Sequence, residues 1–259
     1  LYNQAIENFN ASNDEVALTK LDLCIKMDSN RSETYRTLVG HYVSKNDLSK
    51  AKEYVDLGIS INPSYILYAM GSELLEKEFH SSKNDSNPKG NMQLIMDAES
   101  MCLQAIEMAE KESEDSGSLK IKLFLLNLEM GKNQKAIDIS NELLNVYYDN
   151  PDLYFNVGVL YQRLATQLYD PATRAYGELN SGDTLDSDMV INIYQDFMQA
   201  KIYAEQSKEK FLEANDLETE DTGSRQAASE MRNLIKNLKD IYLPSIKEIA
   251  DSQGINLNE

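Results

Sequence analysis

The spacing of apolar residues predicts two short helices between residues 32 and 63. In the first, over 33–44, they are three or four positions apart: Tyr35, Leu38, Val39 and Tyr42. In the second, over 48–61, the spacing recurs at Ala51, Val55, Gly58 and Ile59. Such residues share one face of a helix. Asp47 suits the N-cap of the second helix, and Pro63 ends it.

Two helices of this size cannot bury their own apolar face, so copies of the pair are expected on both sides. Ala17 and Cys24 precede Ala51 and Gly58 by one period of 34 residues. The series of positions resembles the tetratricopeptide repeat (TPR), a pair of helices that recurs every 34 residues: Tyr35, Leu38, Gly40, Tyr42, Asp47, Ala51, Gly58 and Pro63. Val39 stands where the family has its glycine. A later segment matches in register, at Tyr154, Val157, Gly158 and Tyr161.

The resemblance implies an all-α fold, an α-solenoid of about five TPR helix pairs with a C-terminal capping helix. We expect one continuous superhelical domain over 1–259, with repeats at about 1–30, 32–63, 64–113, 117–148 and 151–215. The capping helix is expected over about 223–253. Polar stretches with Pro and Gly predict insertions at 81–91 and 170–187. Alternatively, Ala172 to Leu179 forms a short helix of its own.

The charge of the chain bears on its partners. Asp and Glu number 43 against 25 Lys and Arg, which gives a net charge of −18. Nucleic-acid binding requires a basic surface, and anionic membranes attract basic ones, so neither partner is expected. An acidic chain either simply stays soluble through self-repulsion or selects a basic partner.

The sequence offers little catalytic or cofactor chemistry. It has two histidines, His41 and His80, and no phosphate loop, nucleophile elbow or metal-ligand spacing. We therefore expect no enzymatic activity and no cofactor. Asp85, Asn87 and Gly90 have the spacing of a calcium loop, but Lys89 and Met96 replace required ligands, so no metal is expected. Cys24 and Cys102 both lie in predicted second helices, and Cys24, at a position where the repeat has a small packing residue, is interpreted as a buried thiol.

The location of the protein is left open by the sequence. No apolar run approaches the length of about 18 residues that spans a bilayer, so direct membrane insertion is not expected. The chain starts at Leu1 without a signal-peptide pattern. The segment from Asn150 to Gly254 resembles bacterial TPR proteins that are often exported to the cell envelope. This favours the bacterial periplasm or envelope if an export signal was removed, and the cytoplasm otherwise.

In TPR arrays the first helices of successive pairs line a concave groove. Groove candidates are first-helix side chains that the core does not claim: Glu33, Arg36, Val43, Tyr68, Ser72, Asp152, Phe155, Val159 and Gln162. Exposed apolar members would suit a peptide ligand, since aromatic anchors supply much of a recognition surface's energy. The alternative is that they pack against the neighbouring repeat.

Related repeat proteins hold the carboxylate tails of heat-shock chaperones with Lys, Arg and Asn on adjacent first helices. Here the near equivalents, Arg36, Asn156 and Arg163, belong to distant repeats, so that ligand is not expected. The resemblance implies a non-catalytic scaffold that binds a protein or peptide of unknown identity in its concave groove. The alternative is a structural subunit that self-associates into an oligomer or envelope assembly, and an enzyme is the least expected class.

Overall fold

The computed structural model describes residues 1–179, 186–220 and 222–257. Within these ranges all regular elements are helical, and one isolated bridge joins Asn84 and Asn87. The predicted all-α class is therefore confirmed. The α-helices are α1 (Tyr2–Asn10), α2 (Asp14–Met27), α3 (Ser32–Ser44), α4 (Leu48–Ile61), α5 (Tyr65–Ser81), α6 (Met92–Lys111), α7 (Gly117–Glu129), α8 (Asn133–Val146), α9 (Pro151–Leu179), α10 (Ser187–Leu217), α11 (Thr222–Asn237) and α12 (Leu243–Gln253).

The helices belong to two compact units. Unit 1 is Leu1–Lys132, with α1 to α7, and unit 2 begins at Asn133, with α8 to α12. The single continuous domain expected from the sequence stays a prediction. None of the helices in the described ranges is both long enough and apolar enough to cross a membrane.

In unit 1 each helix packs against the next one along the chain, and the first helices α3 and α5 also touch. Small residues make these contacts close. Ala17 and Ala51, one repeat period apart, are both fully buried. A Cβ added at Gly58 would lie 3.0 Å from both Leu67 and Tyr35, so glycine lets α4 approach the adjacent first helices. The periodic small residues read from the sequence therefore mark where the helices cross.

The turn between α3 and α4 contains the N-cap that the sequence predicts. The Asp47 carboxylate accepts a hydrogen bond from the Lys50 backbone N–H at 3.1 Å, which caps α4. Asn46, just before it, has φ +58°. Ser12 (φ +60°) and Gly131 (φ +68°) reverse the chain before α2 and α8 in the same left-handed region.

The stretch predicted as the first insertion includes a loop over 82–91, between α5 and α6. The Asn84 side-chain oxygen accepts hydrogen bonds from the backbone N–H groups of Ser86 and Asn87, at 3.0 and 2.9 Å. Lys83 forms an ion pair with Glu129 at the end of α7. The loop is thus held by local hydrogen bonds and by an attachment to a neighbouring first helix.

Unit 2 is built on two long helices, α9 with 29 residues and α10 with 31. They pack along each other, and α11 and α12 pack on α10. Helix α9 runs through Asp170 and Pro171 to Leu179. The second insertion expected at 170–187 is therefore helical in its first part, and 172–179 continue α9 rather than forming a separate helix. Residues 180–185, the middle of that stretch, lie outside the described residues.

The predicted capping helix at 223–253 consists of α11, a π-helical turn (Leu238–Tyr242) and α12. Pro244 lies at the start of α12, where its missing N–H removes a hydrogen bond to the preceding turn. The π turn brings the Tyr242 ring within 5.0 to 5.7 Å of the rings of Phe197, Tyr169 and Tyr176. This aromatic cluster joins the capping segment to α9 and α10.

Two glycines on α9 provide a matched test of close packing. A Cβ at Gly158 would lie 2.7 Å from the Phe211 ring, whereas nothing lies within 4 Å of one at Gly177. Gly158→Ala should lower the free energy of unfolding by about 1–3 kcal/mol, because the core must move to accept the methyl group. Gly177→Ala should raise it by about 0.5–1 kcal/mol through helix propensity. Urea unfolding followed by circular dichroism measures both, and equal effects at the two positions would contradict the packing argument.

Candidate functional site

One face of α5 forms the centre of the candidate site. Ile66, Ala69, Met70 and Glu73 are three or four positions apart, so they lie in one stripe along the helix. We call these four residues the α5 stripe. None of them is buried, whereas the core face of the same helix carries buried Leu67, Gly71, Leu74 and Leu75. The stripe is thus the partly exposed side of α5, although Met70 also packs against the core around Val39 and Ala51.

On one side of the stripe lies cavity A, between α1, α3 and α5. It has a volume of about 440 Å³ and is lined by Tyr2, Glu33, Arg36, Thr37, Ile66 and Met70. The hydroxyls of Tyr2 and Thr37 are hydrogen-bonded at 2.9 Å, which ties α1 to α3. The Arg31 guanidinium lies over the Tyr2 ring, 4.5 Å from its centroid, and its Nε is 3.8 Å from a Glu33 carboxylate oxygen. Cavity A therefore has aromatic, apolar and charged walls.

On the other side of the stripe lies cavity B, between α5, α6 and α7. Its volume is about 240 Å³, and its lining residues are Ala69, Ser72, Glu73, Cys102, Ser118, Leu119, Ile121, Lys122 and Leu125. Lys122 on α7 forms an ion pair with Glu76 on α5, which links the two helices beside the cavity. We call cavities A and B with the α5 stripe the inner groove of unit 1. Most of its lining residues come from α1, α3, α5 and α7, the first helices of successive pairs.

The structure distributes the predicted residues of unit 1 among different environments. Glu33 and Arg36 both line cavity A. Ser72 borders cavity B, but it is buried and its hydroxyl donates to the Ala98 carbonyl at 2.8 Å, so it joins α5 to α6. Val43 packs against the core around Val39 and Ala51.

Tyr68, the remaining candidate of unit 1, is half-buried on α5 and lines neither cavity. It is one position away from Ala69, which belongs to the stripe. A shift of one residue turns a side chain by about 100° around a helix, and this is enough to move it out of the groove.

The predicted residues of unit 2 line two separate cavities on α9. Asp152 and Phe155 contribute to one of about 220 Å³ at the start of the helix. Val159 and Gln162 contribute to one of about 540 Å³. The Phe155 ring lies 5.3 Å from the Phe211 ring, and Val159 packs against the same core cluster. The alternative, packing against neighbouring helices, therefore describes part of the surface of both apolar side chains.

Sequence reasoning missed several residues of the inner groove, among them Tyr2, Ile66 and Met70. The available signal was the second apolar series on α5, which is offset from the core series Leu67, Gly71, Leu74. A helix with apolar residues on two faces has to contact something on both.

No family model matches the chain, and no curated protein matches it. A TPR repeats protein from Bacteroides fragilis has 17% identity, coverage of 90% of this chain and 97% of that one, and a TM-score of 0.43. YrrB, described as a TPR protein with an unusual peptide-binding site, has 13% identity, coverage of 81% and 97%, and a TM-score of 0.46. The chain is similar to TPR proteins.

A third solved structure is similar over most of its length as well. PilW, described as a widely conserved type IV pilus biogenesis factor, has 14% identity to this chain, with coverage of 87% of this chain and 95% of that one. Its TM-score is 0.47. The similarity concerns the arrangement of the helices alone.

The groove is lined by the thiol of Cys102 and by the carboxylates of Glu33 and Glu73. Within the ranges that the structure describes, no three His, Cys, Asp or Glu side chains converge as a metal site requires. Cys102 lines cavity B but is buried, and its thiol lies 3.3 Å from the Leu119 carbonyl oxygen, to which it donates. Burial raises the pKa of this thiol to about 11. Cys102 is therefore a packing residue with little thiolate at neutral pH.

The raised pKa predicts slow modification of Cys102. At pH 8 only about one thiol in a thousand would be ionised at a pKa near 11, and the thiolate is the reacting form. In a Cys24→Ser variant, Ellman's reagent should react at least about 100-fold more slowly with the folded chain than with the urea-unfolded chain, whose thiol pKa returns to about 8.5. Comparable rates in the two states would show that the thiol is neither buried nor perturbed.

Proposed function

We propose that this chain is a non-catalytic protein-interaction scaffold that binds an extended peptide or protein segment in the inner groove of unit 1. The observation that carries the proposal is the α5 stripe, which forms a shared wall of two cavities. Cavity A, at about 440 Å³, has the size of a ligand site. Cavity B, at about 240 Å³, has room for a smaller group such as a single side chain.

The groove has the composition of a recognition surface. Ile66, Met70 and Ile121 offer apolar contact, and Tyr2 is held in place by its hydrogen bond to Thr37. Ordered aromatic and aliphatic side chains beside a few polar groups give both affinity and orientation. The stripe from Ile66 to Glu73 is about 10 Å long at 1.5 Å per residue. An extended peptide covers that distance with about three residues.

A structural subunit that self-associates is the second candidate function. The observation in its favour is on α2, where Val16, Leu23 and Met27 are exposed on one face of the helix. Met27 is 76% exposed, and an apolar patch on one face of a helix is a feature of protein interaction sites. The mass of the chain in solution separates the candidates, because a stable oligomer dispersed by Met27→Glu would favour self-association.

The proposed function predicts that the groove selects peptides and that Met70 contributes to binding them. A phage-displayed library of short random peptides is selected on the immobilised chain, and the enriched peptides are titrated by fluorescence anisotropy. Met70→Glu should weaken their binding at least about tenfold, equivalent to about 1.4 kcal/mol. The cause is a carboxylate placed in an apolar wall, which must be desolvated when the peptide binds.

Leu103→Glu is the matched control for this experiment. Leu103 is exposed on α6 and lines neither cavity, so the same charge there should leave affinity within about twofold of the original chain. Both variants should keep their helical circular dichroism spectrum, since Met70 is only half-buried. A library with no enriched peptide, or peptides that bind Met70→Glu as tightly as the original chain, would contradict the proposed function.

A further inference from the structure

Arg36 is placed to recognise a ligand in the inner groove. It lies on α3, is half-buried, and lines cavity A together with apolar side chains of α5. The same cavity is lined by Tyr2 on α1 and by Ile66 on α5. A peptide bound in cavity A therefore lies within reach of Arg36.

The guanidinium of Arg36 has no hydrogen-bond or ion-pair partner among the residues that the structure describes. Several other cations of unit 1 are paired across helices, as Lys122 is with Glu76 and Lys132 with Glu99. The carboxylate of Glu33, the acid that lines cavity A, is engaged by Arg31 at 3.8 Å. Arg36 thus supplies an uncompensated positive charge to the cavity wall.

A guanidinium presents several N–H donors in a fixed plane that matches the two oxygens of a carboxylate. The apolar side chains of Ile66 and Met70 stand in the same cavity. A ligand that fills the cavity displaces water, and charges attract more strongly where water is excluded. The ligand groups that complement this wall are an acidic side chain and an apolar side chain next to it.

One of the two alternatives that the net charge of −18 leaves open is the opposite preference, for a basic partner. That expectation concerns the field of the whole chain, which salt screens over about 8 Å at physiological ionic strength. Contact chemistry inside a cavity is decided by the groups that line it. In cavity A the charged groups are one paired carboxylate, that of Glu33, and one unpaired guanidinium, that of Arg36.

On these grounds we propose that the inner groove selects peptide segments with an Asp or Glu side chain adjacent to an apolar residue, and that Arg36 binds the carboxylate. This inference rests on the proposed function, because it assigns the chemistry of the ligand for the same groove. It adds a residue that determines specificity and a class of sequence that the partner must contain.

The test is a library selection on four versions of the chain: the original, Arg36→Gln, Arg36→Glu and Lys52→Gln. Lys52, on α4, is the matched control, since it is also half-buried, has no partner among the described residues and lines neither cavity. Peptides selected on the original chain should share an Asp or Glu beside an apolar residue. Arg36→Glu should instead select Lys or Arg at that position, and Lys52→Gln should select as the original does.

A double-mutant cycle makes the assignment specific. Replacing the shared acid of a selected peptide by its amide should weaken binding to the original chain about tenfold. On Arg36→Gln the same replacement should change affinity less than about twofold, because the partner charge is already gone. Peptides with an amidated C-terminus should bind like those with a free one, which identifies the side chain as the source of the carboxylate.

Three outcomes would overturn the inference. Peptides that depend on Met70 but share no acidic residue, or whose acid is not coupled to Arg36, would leave the proposed function standing and remove the role of Arg36. Binding that is lost on C-terminal amidation would show that the groove takes a chain end. The absence of any enriched peptide would contradict the inference and the proposed function together.

Discussion

A helix pair of this chain has an apolar face that is too large to leave in water. One pair by itself is too small to bury that face. The structure resolves this by packing each helix of unit 1 against its neighbours in sequence, with Ala17, Ala51 and Gly58 at the closest approaches. In unit 2 the same constraint brings Gly158 against the Phe211 ring, while the Ser207 hydroxyl donates to the Gly158 carbonyl at 2.8 Å. Larger side chains at these crossings would hold the helices apart, and the core would lose contact.

The inner groove of unit 1 follows from this packing. Helices that bury one face against the next pair leave another face at least partly exposed to solvent. On α5 this exposed face is the α5 stripe. Two ion pairs hold α7 against the α5 region. Lys122 pairs with Glu76 on α5, and Lys83 in the loop after α5 pairs with Glu129. These pairs are partly shielded from solvent, so they hold the relative position of the helices better than exposed pairs would. A groove whose walls are already in place loses less entropy when it binds a ligand.

Electrostatics act at two ranges in this protein. The excess of acids, 43 against 25 bases, sets a negative field that opposes the approach of like-charged molecules. Inside unit 1 several ion pairs join neighbouring helices, such as Lys132 with Glu99, whereas Arg36 lines cavity A without a partner among the described residues. The net charge and the charge of the groove therefore lead to different expectations about a partner. At contact distance the groups that line the groove have the larger effect.

The sequence by itself determined the all-α class and the pair of helices between residues 32 and 63. The spacing of Tyr35, Leu38 and Tyr42 and the 34-residue return of Ala17 at Ala51 are local properties, because helix geometry depends on residues a few positions apart. The tertiary structure alone decided which side chains face the groove. The Ser72 hydroxyl forms a hydrogen bond within the core, and the Met70 side chain lines cavity A. Whether a cation such as Arg36 stays unpaired depends on residues far away in sequence, and their distances exist only once the helices have packed.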